Sequence, residues 1–423
     1  MEQLEAQLVR WRRDFHQYPE LGFLEMRTAT IVADMLETLG YTIQIGNEVM
    51  APDYCMGKPG AEETHRHLEW AKENGAVPKY LDAVSEGFTG IVATLETGRE
   101  GPIIAYRVDM DALPITETSA EGHVPVAEDF RSTTSNMHAC GHDAHTAIGL
   151  GLATKIMRQK DQLSGVIKII FQPAEEGTRG ARSMVEAGVA DGVDYFIASH
   201  IGMDVPDGHF IAANNGFLAT SKMDVTFTGI ASHAGSRPEE GRNALLAAAN
   251  AATNLYTVPR HSDGATRINV GELHAGSGRN IIADHAVMKI ETRGETSEIN
   301  NHVKGQAQAI IEGAAKMHGA EYDIELVGEG ESAECSSEIA QVLKETAEAE
   351  GLHSVMKSDA SSGSEDATFF INAVQQNGGQ ATYCIFGTEL AAGHHNEAFD
   401  INEGSMISAV EVLYRSAVEL SGQ

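Results

Sequence analysis

Between Met137 and Thr146 the chain reads MHACGHDAHT, a thiol, three imidazoles and a carboxylate within ten residues. No other stretch restricts the fold as strongly, because polar groups this dense need partners that the rest of the chain must deliver. Cys140 and His142 lie two apart, so an extended or looped backbone can turn both into one site, as ligands of one metal ion or a metal pair must be. A thiolate with imidazoles suits zinc, manganese or a related divalent ion. Taken alone, the cluster also fits a buried thiol among satisfied core histidines. The choice rests on what the remaining segments bring.

Apolar runs at 91–95, 103–108, 166–171 and 195–199, with helices between them, predict a largely parallel sheet covered by helices on both faces. In such sheets ligands gather beyond the carboxyl ends of the strands. Asp109 and Asp111 follow the run ending at Val108, Glu175 and Glu176 follow the run ending at Phe171, and His200 follows Ser199. A further strand is expected at 381–386, and the pair His394-His395 comes soon after it. Four strand ends that each carry potential ligands are more than solubility requires.

Two adjacent glutamates are ordinarily a charged turn. Beside a metal they allow a division of labour, in which one coordinates and its neighbour takes the proton from a water whose pKa the ion has lowered. Cys140, His142, His200 and one late histidine, with a glutamate, suffice for two ions about 3.5–4 Å apart. Thiol catalysis by Cys140 with His142 or His145 is the competing arrangement. The Glu pair and His200 make metal binding the better use of the thiol. No Gly-x-Ser-x-Gly elbow is present, since Gly363-Ser364-Glu365 does not match it, and no phosphate-binding glycine pattern follows a strand.

Acidic residues number 61 against 30 basic ones, a formal net charge of −31. That balance argues against nucleic acid or an anionic membrane as partner. The first twenty residues are charged throughout and no later run approaches a membrane span, so a cytoplasmic protein is expected. Cys55, Cys140, Cys335 and Cys384 are too far apart for a disulfide framework and are read as reduced.

The chain opens with helix, helix and strand. Residues 46–89 then break the rhythm with prolines, glycines and charge around two expected helices, near 62–74 and 78–85, and are read as an insertion or cap. His65 and His67, on the charged first of these, are expected to be solvated surface. From residue 217 the pattern becomes strand, helix, strand, strand, helix, strand, the split βαβ or ferredoxin-like order. It predicts an inserted second domain over 217–328 within a discontinuous domain formed by 1–216 and 329–423. The fold class is therefore α/β, a mostly parallel sheet with helices on both faces plus an inserted βαββαβ domain.

At this point the motifs resemble a known family. WRRDFHQYPE (11–20), RVDMDALP (107–114), the cysteine-histidine cluster, QPAEEG (172–177), SHAGSRP (232–238), GSED (363–366) and HNEAFD (395–400) occur in the order and spacing of the M20 metallopeptidases. Within them the chain is similar to the amidohydrolase subfamily of N-acyl-amino-acid and auxin-conjugate hydrolases. The resemblance implies that Cys140, His142, Glu176, His200 and His395 are metal ligands and that Glu175 is the general base. It implies that His233 steadies the substrate and the oxyanion from an inserted lid that also makes a homodimer, and that Asn280 and Arg293 handle the amino-acid carboxylate. His138 and His145 are left to orientation or packing, as are Asp109 and Asp111. Many relatives carry proline where this chain has Glu397, and His394 doubles the histidine; the register selects His395.

The implied cofactors are two divalent ions per subunit, manganese favoured and zinc an alternative. The implied reaction is hydrolysis of the amide between an aromatic acyl group and an acidic amino acid. Its first expected substrate is p-aminobenzoyl-glutamate, with indole-3-acetyl-aspartate as the alternative and other aminoacylase or dipeptidase substrates behind them. A paralogous second subunit is left open. A non-catalytic metal-binding subunit is the rival of another class, and Glu175 argues against it, because a binding site has no need of a base.

Overall fold

The computed structural model describes residues 2–358 and 363–422. The chain divides into two compact units, one formed by Met1–Gly216, Ala333–Ser362 and Asp366–Gln423, the other by Phe217–Ser332 and Gly363–Glu365.

The first unit is built on an eight-stranded sheet in the order Thr42–Ile45, Ile91–Glu96, Val166–Gln172, Ile103–Asp109, Tyr195–Ile201, Gln380–Phe386, His209–Ile211, His353–Val355. The four strands from Val166–Gln172 to Gln380–Phe386 pair in parallel, as does the last pair. Ile91–Glu96 runs antiparallel to both neighbours, and His209–Ile211 runs antiparallel to Gln380–Phe386. The sheet is therefore mixed: four of its seven pairings are parallel, and the three antiparallel ones were not visible in the sequence. The reason is physical: Ile91–Glu96 is buried at four of its six residues, on both faces at its start, and such a strand shows the same continuous apolar run whichever way it points. The short strands His209–Ile211 and His353–Val355 carry too few residues to show a period.

Helix His142–Arg158 is buried along almost its whole length, which its small residues make possible. A Cβ on Gly149 would stand 2.8 Å from Val108, and one on Gly151 would stand 2.6 Å from Leu8. Glycine costs helix stability relative to alanine, and here it allows the helix to lie tight against the sheet strand Ile103–Asp109 and the helices Glu2–Gln17 and Ser405–Leu420. That packing fixes the helix start, where His142 sits. Within 46–89 the helices are Ala61–Glu73 and the short Leu81–Val84 after a 3-10 turn. His67 departs from the surface expectation: its Nε2 lies 2.9 Å from the buried Glu20 carboxylate, and its ring stacks on Trp70 at 4.8 Å.

Glu25 is a buried carboxylate between two segments, accepting from the Thr89 hydroxyl at 2.6 Å and the Ala174 N–H at 2.8 Å. Burial, with Asp111 nearby, pushes its pKa from 4.5 up to about 8. The folded chain thus holds this proton more tightly than the unfolded chain. Its contribution is full below the ordinary carboxylate pKa and is lost as pH rises toward about 8,. Glu25→Gln should flatten the fall in stability over that window, read by urea unfolding at several pH values; a slope equal to the parent's would refute the assignment.

The second unit has strands Ala219–Thr228, Thr266–Ala275, His285–Gly294 and Glu321–Gly330 in the sheet order fourth, first, third, second, all antiparallel. Helices Ala244–Leu255 and Ser297–His318 pack on it, burying Ala247, Ala251, Met288 and Ile311 with Phe227. Their starts are capped by side chains: Asn243 accepts from the Leu246 N–H and Thr296 from the Ile299 N–H. Such caps contribute about 1 kcal/mol each. Among the described residues no helix is long and apolar enough to cross a membrane.

Candidate metal centre

The polar strand ends converge. Cys140 precedes Gly141, whose φ of +88° turns the chain into helix His142–Arg158. His200 lies in strand Tyr195–Ile201 and the glutamates follow strand Val166–Gln172 after Pro173 and Ala174, the latter at φ +52°. His395, itself at φ +63°, is tied to the cluster by its N–H on the Ala139 carbonyl at 2.8 Å.

Four groups of ligand-type atoms form among the described residues, and Cys140 belongs to two of them, with His142 and Glu176 and with His200 and His394; His142, His145 and His200 make a third, and Glu175, Glu365 and Asp366 a fourth. His395 places Nε2 at 3.4 Å from Glu176 Oε1, beside the first group. The site passes a direct test of fit. His142 Nε2 is buried with no hydrogen-bond partner, and an unsatisfied buried polar atom costs roughly 1–3 kcal/mol. Burial, with Glu176 adding to it, pushes the Cys140 thiol up to about 12. A divalent cation would take the place of a proton on His142 Nε2 and stabilise the Cys140 thiolate beside the Glu176 carboxylate.

Outer hydrogen bonds prepare the imidazoles. His142 Nδ1 faces Asp111 Oδ1 at 3.3 Å, leaving Nε2 for an ion. His200 Nδ1 donates to the Ile201 carbonyl at 2.7 Å, leaving Nε2 at 3.5 Å from the Cys140 sulfur. Such partners fix tautomer and ring orientation in metal sites. Burial opposes a charge on His142, yet Asp109 and Asp111 hold its proton well above the usual range; burial, with His145 and His394, holds His200 well below it.

His145 has no free nitrogen: Nδ1 lies 2.5 Å from Asp109 and Nε2 accepts the Ile201 N–H at 2.9 Å. It orients the site rather than ligating. His138 is buried with neither ring nitrogen hydrogen-bonded. Asp111 does more than orient His142, since its two oxygens accept the N–H groups of Glu175 and Glu176 at 3.0 and 2.9 Å. One aspartate thereby sets the backbone of both glutamates. Glu175 brings Oε2 to 4.0 Å from His142 Nε2. Asp366 anchors the same loop from the far end of the sequence, accepting from Gln172 at 2.8 Å and from the Gly180 and Ala181 N–H groups at 3.0 and 2.9 Å.

The second unit presents His233 and Asn280 together, with His233 opposite Ile281 and the Ala234 N–H on the Asn280 carbonyl at 3.0 Å. His233 is exposed, and its Nδ1 accepts the N–H groups of Gly235 and Ser236, both at 3.1 Å. The proton is therefore on Nε2, which makes the ring a donor. Arg293 is already paired, through Nε at 2.7 Å and Nη2 at 3.1 Å, with Glu291. The signal was in the sequence, because residues two apart on a strand share a face.

The site geometry agrees with three comparisons. The model of peptidase family M20/M25/M40 matches residues 105–419. A p-aminobenzoyl-glutamate hydrolase chain of Escherichia coli (strain K12) is 50% identical over 98% of this chain and 96% of its own length. Indole-3-acetyl-aspartic acid hydrolase of Enterobacter agglomerans is 50% identical over 100% of this chain and 97% of its own. The crystal structure of an aminobenzoyl-glutamate utilization protein from Klebsiella pneumoniae has a TM-score of 0.87 and 46% identity, covering 99% of this chain and 96% of that one. The matched span holds Cys140, both glutamates, His200 and the late histidines in one run, and the chain is a member of peptidase family M20/M25/M40.

Proposed function

We propose that the chain is a metal-dependent amidohydrolase that cleaves N-aroyl and N-acyl amino acids with an acidic amino-acid half, p-aminobenzoyl-glutamate first among them. The observation that carries this reading is the gathering of Cys140, His142 and Glu176, with His200 Nε2 at 3.5 Å from the Cys140 sulfur and Glu175 beside them, in a chain 50% identical over nearly its whole length to one chain of a p-aminobenzoyl-glutamate hydrolase. Equal identity to an indole-3-acetyl-aspartic acid hydrolase keeps indole-3-acetyl-aspartate as the second substrate.

Cys140, His142, Glu176, His200 and His395 are the proposed ligands. The divalent ions they would hold would lower the pKa of a water and polarise the amide carbonyl. Glu175 would take a proton from the attacking water and return it to the leaving amine. His233, its proton on Nε2, is suited to donate to the carbonyl oxygen as charge develops there. Asn280 is exposed and suited to the amino-acid carboxylate; Arg293 joins it through Nη1 or by exchanging Glu291 for substrate. The acyl half is assigned to a cavity of about 340 Å³ beside Glu176, walled by Leu21, Leu24, Leu113 and Pro114. Pro59, Glu63 and Arg179 also line it, so the 46–89 insertion would help choose the acyl group.

The second unit is assigned as a ferredoxin-like lid and dimerisation domain. Leu245, Leu246, Leu273 and Ile281 are exposed on it, and its edge strand Thr266–Ala275 has one open side, which supports pairing with a second copy. Manganese is the favoured metal. It stands low in the affinity order and is easily lost, whereas the thiolate would retain zinc.

The test is hydrolysis of p-aminobenzoyl-glutamate and indole-3-acetyl-aspartate by chain stripped of metal and reloaded with manganese or zinc. Metal-dependent release of glutamate is expected, with slower release of aspartate. Turnover by the stripped chain would remove the metal reading. Silence from the loaded chain, restored by adding a paralogous chain, would reassign it to one half of a two-chain enzyme.

A further inference from the structure

Two consecutive histidines, His394 and His395, reach the centre, and they face different atoms. His395 faces Glu176. His394 turns Nδ1 toward the Cys140 sulfur at 3.6 Å, while its Nε2 accepts the Met203 N–H at 2.9 Å. The second contact decides the first. A backbone N–H can only donate, so Nε2 carries the lone pair and the ring proton is on Nδ1, pointing at sulfur. His200 is the mirror case: its Nδ1 donates to the Ile201 carbonyl, so the nitrogen facing the same sulfur is a lone pair. Two imidazoles meet one sulfur, one as a ligand would and one as a donor.

The backbone that fixes this tautomer is itself unusual. Gly202, Met203 and Asp204 all have positive φ, at +88°, +52° and +59°. Non-glycine residues rarely adopt that region, and such strain costs of order 1–3 kcal/mol per residue. The turn follows directly on strand Tyr195–Ile201 and aims the Met203 N–H at the histidine. It also admits no side chain at its first position, where a Cβ on Gly202 would lie 2.8 Å from His394 Nε2. Phe399 supports the ring from another side at 4.9 Å. The imidazole is thus held from its backbone, its far nitrogen and its face.

We propose that His394 is a positioning residue that donates an N–H···S hydrogen bond to the Cys140 thiolate and tunes its bond to the metals, without being a ligand itself. A hydrogen bond to a ligating thiolate would lower its donor level and fix its lone pairs. The strained turn at Met203 is the device that keeps the proton on the nitrogen next to sulfur. The inference rests on the metal reading above.

The experiment uses the full chain loaded with cobalt(II), whose thiolate charge-transfer band reports the sulfur donor level. In His394→Leu the band should move to lower energy and metal affinity should fall roughly 10–100-fold, with two ions per chain still bound at saturation. His394→Asn restores an amide N–H near the Nδ1 position and should return the band toward the parent. Loss of one ion per chain in both variants would make His394 a ligand and overturn the proposal, as would an unmoved band. Should neither variant fold, nitrogen-15 NMR of histidine-labelled, zinc-loaded parent protein decides the matter: a protonated Nδ1 supports the donor, a protonated Nε2 refutes it. A parent chain that binds no metal would fail the metal reading itself, which separates that failure from this one.

Discussion

Glu175→Gln should lower kcat by about 10²–10⁴-fold, the range for loss of a general base, while metal content and KM stay near the parent's. Glutamine is nearly isosteric, and the Asp111 contact to the Glu175 N–H is a main-chain contact that the substitution leaves in place. What is removed is the capacity to take and return a proton, 4.0 Å from the His142 imidazole. Glu176→Gln is the informative neighbour. It removes a carboxylate from the ligand group containing Cys140 and His142, so metal affinity should fall first and activity should recover in part at high metal concentration. Kinetics with metal analysis on both variants checks the division of labour. If Glu175→Gln turned over within tenfold of the parent with metal bound, the base would have to be found elsewhere.

The largest stability effect is expected at Arg12. Its guanidinium is wholly buried and meets Asp143 at 2.8 Å, Asp400 at 2.6 Å and Glu403 at 3.4 Å. Asp143 is held in addition by His16, which continues through Glu117 to His123. Breaking such a network from its centre leaves buried carboxylates unpaired, and Arg12→Leu should cost about 3–5 kcal/mol of unfolding free energy. Arg12→Lys should recover little, because one ammonium cannot present the fork that reaches three acids. The exposed pair Lys72 with Glu69 supplies the control: Lys72→Ala should cost under about 1 kcal/mol. Urea unfolding measures all three, and an Arg12→Leu protein as stable as the parent would show that the acids relax into water. Since Asp143 follows His142 directly, the same variant should also bind metal more weakly.

These two cases mark what could be read from the sequence. Cys140, Glu176 and His200 lie at or just beyond the ends of apolar runs, a local signal that survives without knowledge of the partner strands, and the motif order supplied the rest of the proposed ligand set. Arg12 gave no comparable signal, because its partners lie 131 and 388 residues away. The direction of Ile91–Glu96 was hidden by its burial on both faces. His67 looked like surface because a charged helix carries it, yet one face of that helix covers Glu20. The roles of His394 and His395 could not be separated from their residue types, since a tautomer set by the Met203 N–H is a property of the folded backbone.

The late histidines also carry a temporal consequence. His200 is made well before His395, and at roughly 5–20 residues per second a ribosome spends about 10–40 s on the chain between them. Throughout that interval a nascent molecule holds Cys140, His142, Glu176 and His200 but lacks the imidazole beside Glu176, and the guanidinium of its first helix still waits for Asp400. On the proposed ligand set, a nascent molecule in that interval should bind metal more weakly than one that has gained His395 and Asp400.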